Sequence, residues 1–133
     1  MYFDPTIRAA VVGCGRAGRN RIGRILPEFR NTHIPFVCEP SSEAYSETAE
    51  IFRANHRAVP PNVPDLGRLL DEYSKELDVA FVVTPHVLHC RQAKACLEAG
   101  LDVLVEKPMV MNAAEANELT ETRDRTGRLL VVS

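Results

Sequence analysis

The residues best suited to chemistry in this sequence form three short clusters, each directly after an apolar run. The first is Gly13-Cys14-Gly15-Arg16-Ala17-Gly18, which has the spacing G-x-G-x-x-G. Between a strand and a helix, glycines at this spacing allow a tight turn, a close approach of a pyrophosphate to the backbone, and close packing of helix on strand. The cluster therefore predicts a dinucleotide-binding turn; a turn that serves packing alone is the alternative.

An acidic residue stands where such a turn requires one. Glu39 follows the next apolar run, about 20 residues beyond the last glycine, where an acid accepts hydrogen bonds from the adenosine ribose. Its carboxylate would repel a 2′-phosphate, and no lysine or arginine follows it closely, so the sequence favours NAD over NADP. Arg16, Arg19 and Arg21 favour an anion at the start of the following helix, because cations there oppose the helix dipole unless an anion compensates them. The series Arg16, Arg19, Arg21 and Arg24 could also be a solvated helix face, and only Arg16 is expected to approach the phosphates.

Two further clusters are Thr84-Pro85-His86-Val87-Leu88-His89 and Glu106-Lys107-Pro108. If the strands before them are parallel, all three clusters meet at one edge of a sheet. Hydride transfer to a carbonyl leaves an alkoxide, which the Lys107 ammonium could stabilise or protonate. His86 and His89 are expected on one helix face; a metal there would lack an obvious third ligand, so no metal site is predicted. His89 could equally be a residue at the cofactor's edge or a surface histidine.

The elements that must position these clusters follow from apolar patterning. Apolar runs predict strands at residues 7–12, 34–38, 78–84, 101–105 and 129–132, with a short irregular strand between 58 and 64. Helical spacing predicts helices after residues 16, 41, 65, 86 and 112, with Ser41 and Asn112 as N-caps. Strands alternating with helices predict a doubly wound, three-layer α/β/α Rossmann domain with a mainly parallel six-stranded sheet.

Composition excludes several classes of protein. The 133 residues carry 16 Lys+Arg against 18 Asp+Glu, a net charge of −2 with no basic cluster for nucleic acid. The longest apolar run is far too short to span a membrane, and residues 1–5 do not resemble a secretion signal. The four cysteines form no metal or redox motif, which favours a cytoplasmic protein. Cys14 could be a redox thiol with a lowered pKa beside arginines and a helix N-terminus, or only a small side chain in a crowded turn.

The three clusters together resemble a known family. The runs V-G-C-G-R-A-G (12–18), V-V-T-P-H-V-L-H (82–89) and V-L-V-E-K-P (103–108) are similar to those of the NAD(P)-binding domain of Gfo/Idh/MocA oxidoreductases. The resemblance implies that Lys107 lies beside the nicotinamide and substrate as proton donor or acceptor. It also implies that Thr84, Pro85, His86 and Glu106 line the nicotinamide half of the cofactor. The chain departs from the family where His86 replaces a common Asn and Arg21 a frequent His.

The resemblance implies an NAD(P)-dependent oxidoreductase that acts on a sugar or polyol-like small molecule, with residues 1–133 as its cofactor-binding domain. Family members continue into a second α/β domain that supplies most substrate contacts, and the present sequence stops at Ser133. A stand-alone NAD-binding module that senses redox state or regulates a partner without catalysis is the alternative. Neither interpretation excludes a homo-oligomer.

Overall fold

A parallel sheet carries the functional clusters. The computed structural model describes residues 6–133, in which five strands run in the order β2-β1-β3-β4-β5. The strands are β1 (Ile7–Val12), β2 (Thr32–Cys38), β3 (Val79–Val82), β4 (Asp102–Val105) and β5 (Leu130–Val132). The helices are α1 (Arg16–Glu28), α2 (Ser42–Ala54), α3 (Leu66–Tyr73), α4 (His89–Glu98) and α5 (Ala113–Thr126). Residues 1–5, on which the argument against a secretion signal depends, lie outside the described residues.

Helices cover both faces of the sheet, which confirms the doubly wound architecture. On one face Ile22 of α1 and Phe52 of α2 pack against Val11, and all three are buried. On the other face Leu69, Leu97 and Leu119, from α3, α4 and α5, belong to a second buried cluster. The strands between them are apolar on both faces, as expected where helices flank a parallel sheet.

The sheet has five strands within residues 6–133, so the prediction of a sixth strand is wrong. Between residues 58 and 64 only an isolated parallel bridge forms, between Val37 and Asn62. The prolines of this segment lack the N–H groups that a continuous ladder requires. The side chain of Asn62 connects this segment to the end of β2 in place of a ladder. It accepts a hydrogen bond from the N–H of Glu39 and donates one to the carbonyl oxygen of Glu39, both at 2.9 Å.

Side-chain caps begin three of the five helices and are missing from α1 and α4. Ser41, Asp65 and Asn112 each accept a hydrogen bond from a backbone N–H in the first turn of α2, α3 and α5. Helix α1 begins instead after Gly15, with no side-chain cap and no acidic residue in its first turn. The N–H groups at the start of α1 are therefore left without a protein acceptor from a cap.

The strand order places a crevice beside the glycine turn (residues 13–18). From β1 the chain passes to β2 on one side and later returns to β3 on the other, and Val12 pairs in register with Val82. The loops after β1 and β3 consequently leave the sheet in opposite directions at the carboxyl edge, the edge formed by the carboxyl ends of the strands. Open α/β sheets bind ligands at such a switch point.

Candidate functional site

A cavity of about 620 Å³ opens at the carboxyl edge, between the glycine turn and the ends of β2 and β3. Seven predicted site residues line it: Gly13, Gly15, Arg16, Ala17, Glu39, Thr84 and Pro85. The residues that sequence reasoning missed at this cavity are mainly apolar, and they include Pro40, Pro64, Leu66 and Leu88. Pro40 lies in the loop after β2, and Pro64 and Leu66 lie just before and at the start of α3, segments whose proximity to the turn depends on the tertiary fold.

The three glycines of the turn differ in what surrounds them. Gly13 has φ +99°, and a Cβ there would lie 2.7 Å from the carbonyl oxygen of Val83. A Cβ on Gly18 would lie 2.0 Å from the carbonyl oxygen of Gly13. A Cβ on Gly15 would meet no atom within 4 Å. The protein's own packing thus explains the first and third glycines, and the open cavity lies at the second.

The start of α1 presents hydrogen-bond donors to this cavity. The first backbone bond of the helix runs from the N–H of Arg19 to the oxygen of Gly15 at 2.9 Å, so the amides before it have no partner one turn back. Their dipoles favour an anion at this end of the helix. Arg16 lies on the cavity wall and is exposed. The side chain of Arg19 donates to the Cys14 oxygen at 2.9 Å and pairs with Glu47 at 3.0 Å, which holds it away from the cavity.

The carboxylate of Glu39 is held in a fixed orientation. One oxygen accepts from the N–H of Cys14 and the other from the N–H of Ser41, both at 2.8 Å. Although only 8 % exposed, Glu39 lines the cavity. An ionised carboxylate has about four acceptor positions. Roughly two therefore stay free for hydroxyl groups of a ligand.

Cys14 corrects the expectation of a lowered thiol pKa. Its side chain is fully buried, and burial raises its pKa to about 11, a larger effect than the lowering by Arg19. Burial likewise raises the pKa values of Cys38, Cys90 and Cys96 to about 12, 11 and 12. At neutral pH all four are protonated thiols inside the core, and the interpretation of Cys14 as a small side chain in a crowded turn fits this environment.

The cluster after β3 divides between cavity wall and core. Thr84 donates to the side-chain oxygen of Gln92 at 2.5 Å, and Pro85 lies beside it. His86 is exposed in a short 3₁₀ turn outside the 620 Å³ cavity. His89 has no exposed surface, and its ring nitrogens lie 2.9 Å from the Thr84 oxygen and 2.8 Å from the Pro108 oxygen. It is therefore neither a surface residue nor part of the cavity wall.

The cluster after β4 lies on the other side of the glycine turn. Glu106 pairs with Arg21 of α1 at 2.5 Å, and Arg21 also donates to the hydroxyl of Ser133. Arg21 therefore connects α1 to the loop after β4, which argues against the alternative of a solvated helix face for this residue. Glu106 and Arg21 line a second cavity of about 360 Å³, which meets the first at Ala17. The three clusters converge as the parallel sheet predicts.

Lys107 presents its side chain to solvent beside these cavities. Its backbone N–H donates to the Ser133 oxygen at 3.0 Å, and the peptide bond to Pro108 is cis. The side chain is exposed and has no hydrogen bond or ion pair within residues 6–133. Its ammonium is thus free to meet a ligand that reaches the outer end of the cleft.

A family model described as an oxidoreductase family with an NAD-binding Rossmann fold matches residues 7–133. The chain belongs to the Gfo/Idh/MocA oxidoreductase family. This confirms the resemblance carried by the three clusters, and the family's fold is an NAD-binding Rossmann fold. No group of three or more His, Cys, Asp or Glu side chains within residues 6–133 is placed to hold a metal ion.

Several relatives of this Gfo/Idh/MocA chain are named dehydrogenases. Inositol 2-dehydrogenase of Rhodococcus jostii is 28% identical over 132 residues, 98% of this chain and 34% of its own. scyllo-Inositol 2-dehydrogenase (NADP(+)) of Bacillus subtilis is 30% identical over 131 residues, 96% of this chain and 33% of its own. The WlbA dehydrogenase of Chromobacterium violaceum, solved with NADH and UDP-GlcNAcA, superposes with a TM-score of 0.85 at 28% identity, covering 99% of this chain and 36% of that one.

The chain spans about a third of the length of the relatives it matches. In the part of the chain that the structure describes, every helix is too short or too polar to cross a membrane.

Proposed function

We propose that this chain is the NAD-binding domain of an oxidoreductase that transfers a hydride between nicotinamide and a hydroxyl or carbonyl of a sugar-like or polyol-like molecule. The observation that carries the proposal is the Glu39 carboxylate, held by two backbone N–H groups on the wall of the cavity that the glycine turn opens. The named activities of the inositol dehydrogenases and the UDP-sugar ligand of the WlbA structure support this substrate class.

The cavity fits a dinucleotide in three respects. Empty space at Gly15 and the uncapped start of α1 suit a pyrophosphate, which Arg16 can neutralise. The free acceptor positions of Glu39 suit ribose hydroxyls. The apolar residues Pro64 and Leu66 offer a flat surface for the adenine ring. Backbone shape, charge and hydrogen bonding therefore agree on the same ligand.

Glu39 also supports NAD over NADP. A 2′-phosphate would place negative charge against a nearly buried carboxylate, where screening by water is weak. Arg19, the residue after the glycine turn, is already engaged by Glu47 and by the Cys14 oxygen and is not available to a 2′-phosphate. We propose that NADPH binds at least about tenfold more weakly than NADH, a difference of about 1.4 kcal/mol.

Lys107 is proposed to hold or release a proton at the substrate oxygen. Bound nicotinamide would supply or accept the hydride. The exposed Lys107 ammonium stabilises the negative charge that develops on a carbonyl oxygen as it becomes an alcohol, and donates the proton. In the reverse direction it accepts that proton. Thr84, Pro85, His86 and Glu106 are proposed to line the nicotinamide half of the cofactor.

The test is a titration of the protein with NADH and with NADPH, followed by nicotinamide fluorescence and by the melting temperature. NADH is expected to bind in the micromolar range and NADPH more weakly. Glu39→Gln should weaken NADH binding by about tenfold, since an amide cannot accept all of the hydrogen bonds that the carboxylate accepts. Glu121→Gln, an exposed change in α5, is the matched control. Wild-type protein that responds to neither cofactor would overturn the proposal.

A further inference from the structure

His89 connects the two loops on either side of the cleft's outer end. It is the first residue of α4 and is completely buried. Its Nε2 lies 2.9 Å from the carbonyl oxygen of Thr84, in the loop after β3. Its Nδ1 lies 2.8 Å from the carbonyl oxygen of Pro108, in the loop after β4. A single ring thus spans the backbones of two segments that are distant in sequence.

Each loop has other connections besides this ring. The loop after β3 has another connection to α4, because the Thr84 hydroxyl donates to Gln92. The loop after β4 is held on its other side, where the N–H of Lys107 donates to Ser133. Beyond that bond, Met109 and Val110 pack against the core and the N–H of Met111 donates to Glu115. The Pro108 carbonyl between them is held by His89.

We propose that His89 is a positioning residue, which holds the loop after β4 so that Lys107 faces the nicotinamide end of the cleft. The inference rests on the proposed function, since it concerns the same cleft. His89 does not touch the cavity, and it acts through the Pro108 carbonyl. Both ring nitrogens face carbonyl oxygens, which only accept, and a neutral ring carries hydrogen on one nitrogen alone. The positioning role requires that Nδ1, the nitrogen facing Pro108, carries a hydrogen.

Two substitutions separate the two contacts. The amide nitrogen of Asn occupies about the position of Nδ1, and that of Gln about the position of Nε2. His89→Asn can therefore donate toward Pro108 but not toward Thr84, and His89→Gln can donate toward Thr84 but not toward Pro108. Both remove a buried ring, so a purely structural role predicts similar losses in melting temperature and in binding.

We expect the two variants to differ in NADH binding. His89→Gln should weaken NADH binding by about tenfold and leave ADP-ribose, which lacks the nicotinamide, within about twofold of wild type. His89→Asn should keep NADH binding within about threefold of wild type. Hydrogen exchange of the Lys107 amide should accelerate by about tenfold in His89→Gln alone, whereas the Val103 amide stays unchanged. His33→Gln, an exposed change in β2, is the control.

Equal losses of NADH and ADP-ribose binding in both variants, or unchanged NADH binding in His89→Gln, would overturn the positioning role. The inference can also be tested on the wild-type protein. Nitrogen NMR of the His89 ring should show a hydrogen on Nδ1, and an Nδ1 without hydrogen would overturn the inference. Wild-type protein that binds neither ligand overturns the proposed function, whereas wild-type binding with a bare Nδ1 overturns only the role of His89.

Discussion

Gly18 packs so closely on Gly13 that a Cβ on Gly18 would lie 2.0 Å from the Gly13 carbonyl oxygen. Gly15, between them, faces open space, with φ −67° that any residue can adopt. Two glycines of the turn are therefore required by the fold and one is left for the ligand. Substitutions at Gly15 should therefore affect ligand binding, and substitutions at Gly13 or Gly18 should affect stability, a difference that the G-x-G-x-x-G spacing alone does not show.

Gly15→Ala is expected to fold normally and to bind NADH at least about tenfold more weakly, because its methyl group occupies space that the pyrophosphate needs. Its free energy of unfolding should fall by less than about 1 kcal/mol, since only an N-cap preference is lost. Gly18→Ala should lose about 3 kcal/mol through overlap with the backbone. Chemical denaturation and NADH titration of both variants are the measurements. Equal destabilisation by the two changes would contradict this account.

Lys107→Met is expected to lower kcat/KM by about 10²–10⁴-fold in any form of the protein that turns over substrate, because the proton donor is removed. The melting temperature should stay within a few degrees of wild type, since the Lys107 side chain is exposed. Lys75→Met removes another exposed lysine, far from the cleft, and serves as the control. A Lys107→Met protein with full turnover would remove Lys107 from the proposed chemistry.

The cysteines are expected to resist alkylation in the folded protein. Burial raises the pKa of Cys14 to about 11 and that of Cys38 to about 12, so at pH 8 almost no thiolate is present. Iodoacetamide at pH 8 should leave the native protein unmodified and add four groups in guanidinium chloride, as counted by mass spectrometry. Rapid labelling of Cys14 in the native state would revive a redox role for the turn.

Asp78 connects the starts of β1 and β3 and makes stability depend on pH. Hydrogen bonds from the Arg8 side chain hold the pKa of Asp78 below its ordinary value. A carboxyl whose pKa is lowered by folding stabilises the protein above its unfolded pKa, near 4, and loses this effect as pH falls through the folded pKa.

Asp78→Asn should therefore lower the melting temperature at pH 7, and the difference from wild type should shrink toward zero near pH 2. The effect should be small, because the side chains of Arg8 and Asp78 are 42% and 44% exposed and water screens their interaction. Asp71→Asn, another exposed carboxylate, is the control. A difference that grows as the pH falls would contradict the assignment.

Most helices and strands of the fold could be predicted from local sequence patterns. Ser41 and Asn112 begin helices as their N-cap chemistry predicts, and Gly127 ends α5 with φ +68°. The glycine turn and Glu39 meet because parallel strands bring their carboxyl ends together, a consequence of topology that the sequence pattern already contains.

What the sequence did not reveal are contacts between segments that only tertiary packing brings together. The side chain of Asn62 hydrogen-bonds the backbone of Glu39 in a segment where a strand is expected, and nothing in its local sequence marks that role. The burial of His89 depends on loops after two different strands. Arg21 is indistinguishable by spacing from its arginine neighbours until Glu106 lies against it.

The two hydrogen bonds of Glu39 have a consequence for changing coenzyme preference. An arginine at this position would attract a 2′-phosphate. It would also leave the Cys14 and Ser41 amides without their acceptors and so disturb the glycine turn that binds NAD and NADP alike. Glu39→Arg should therefore shift the ratio toward NADPH while weakening both cofactors. Evolution or engineering toward NADP must pass through a poorer binder, unless a second residue takes over those two amides first.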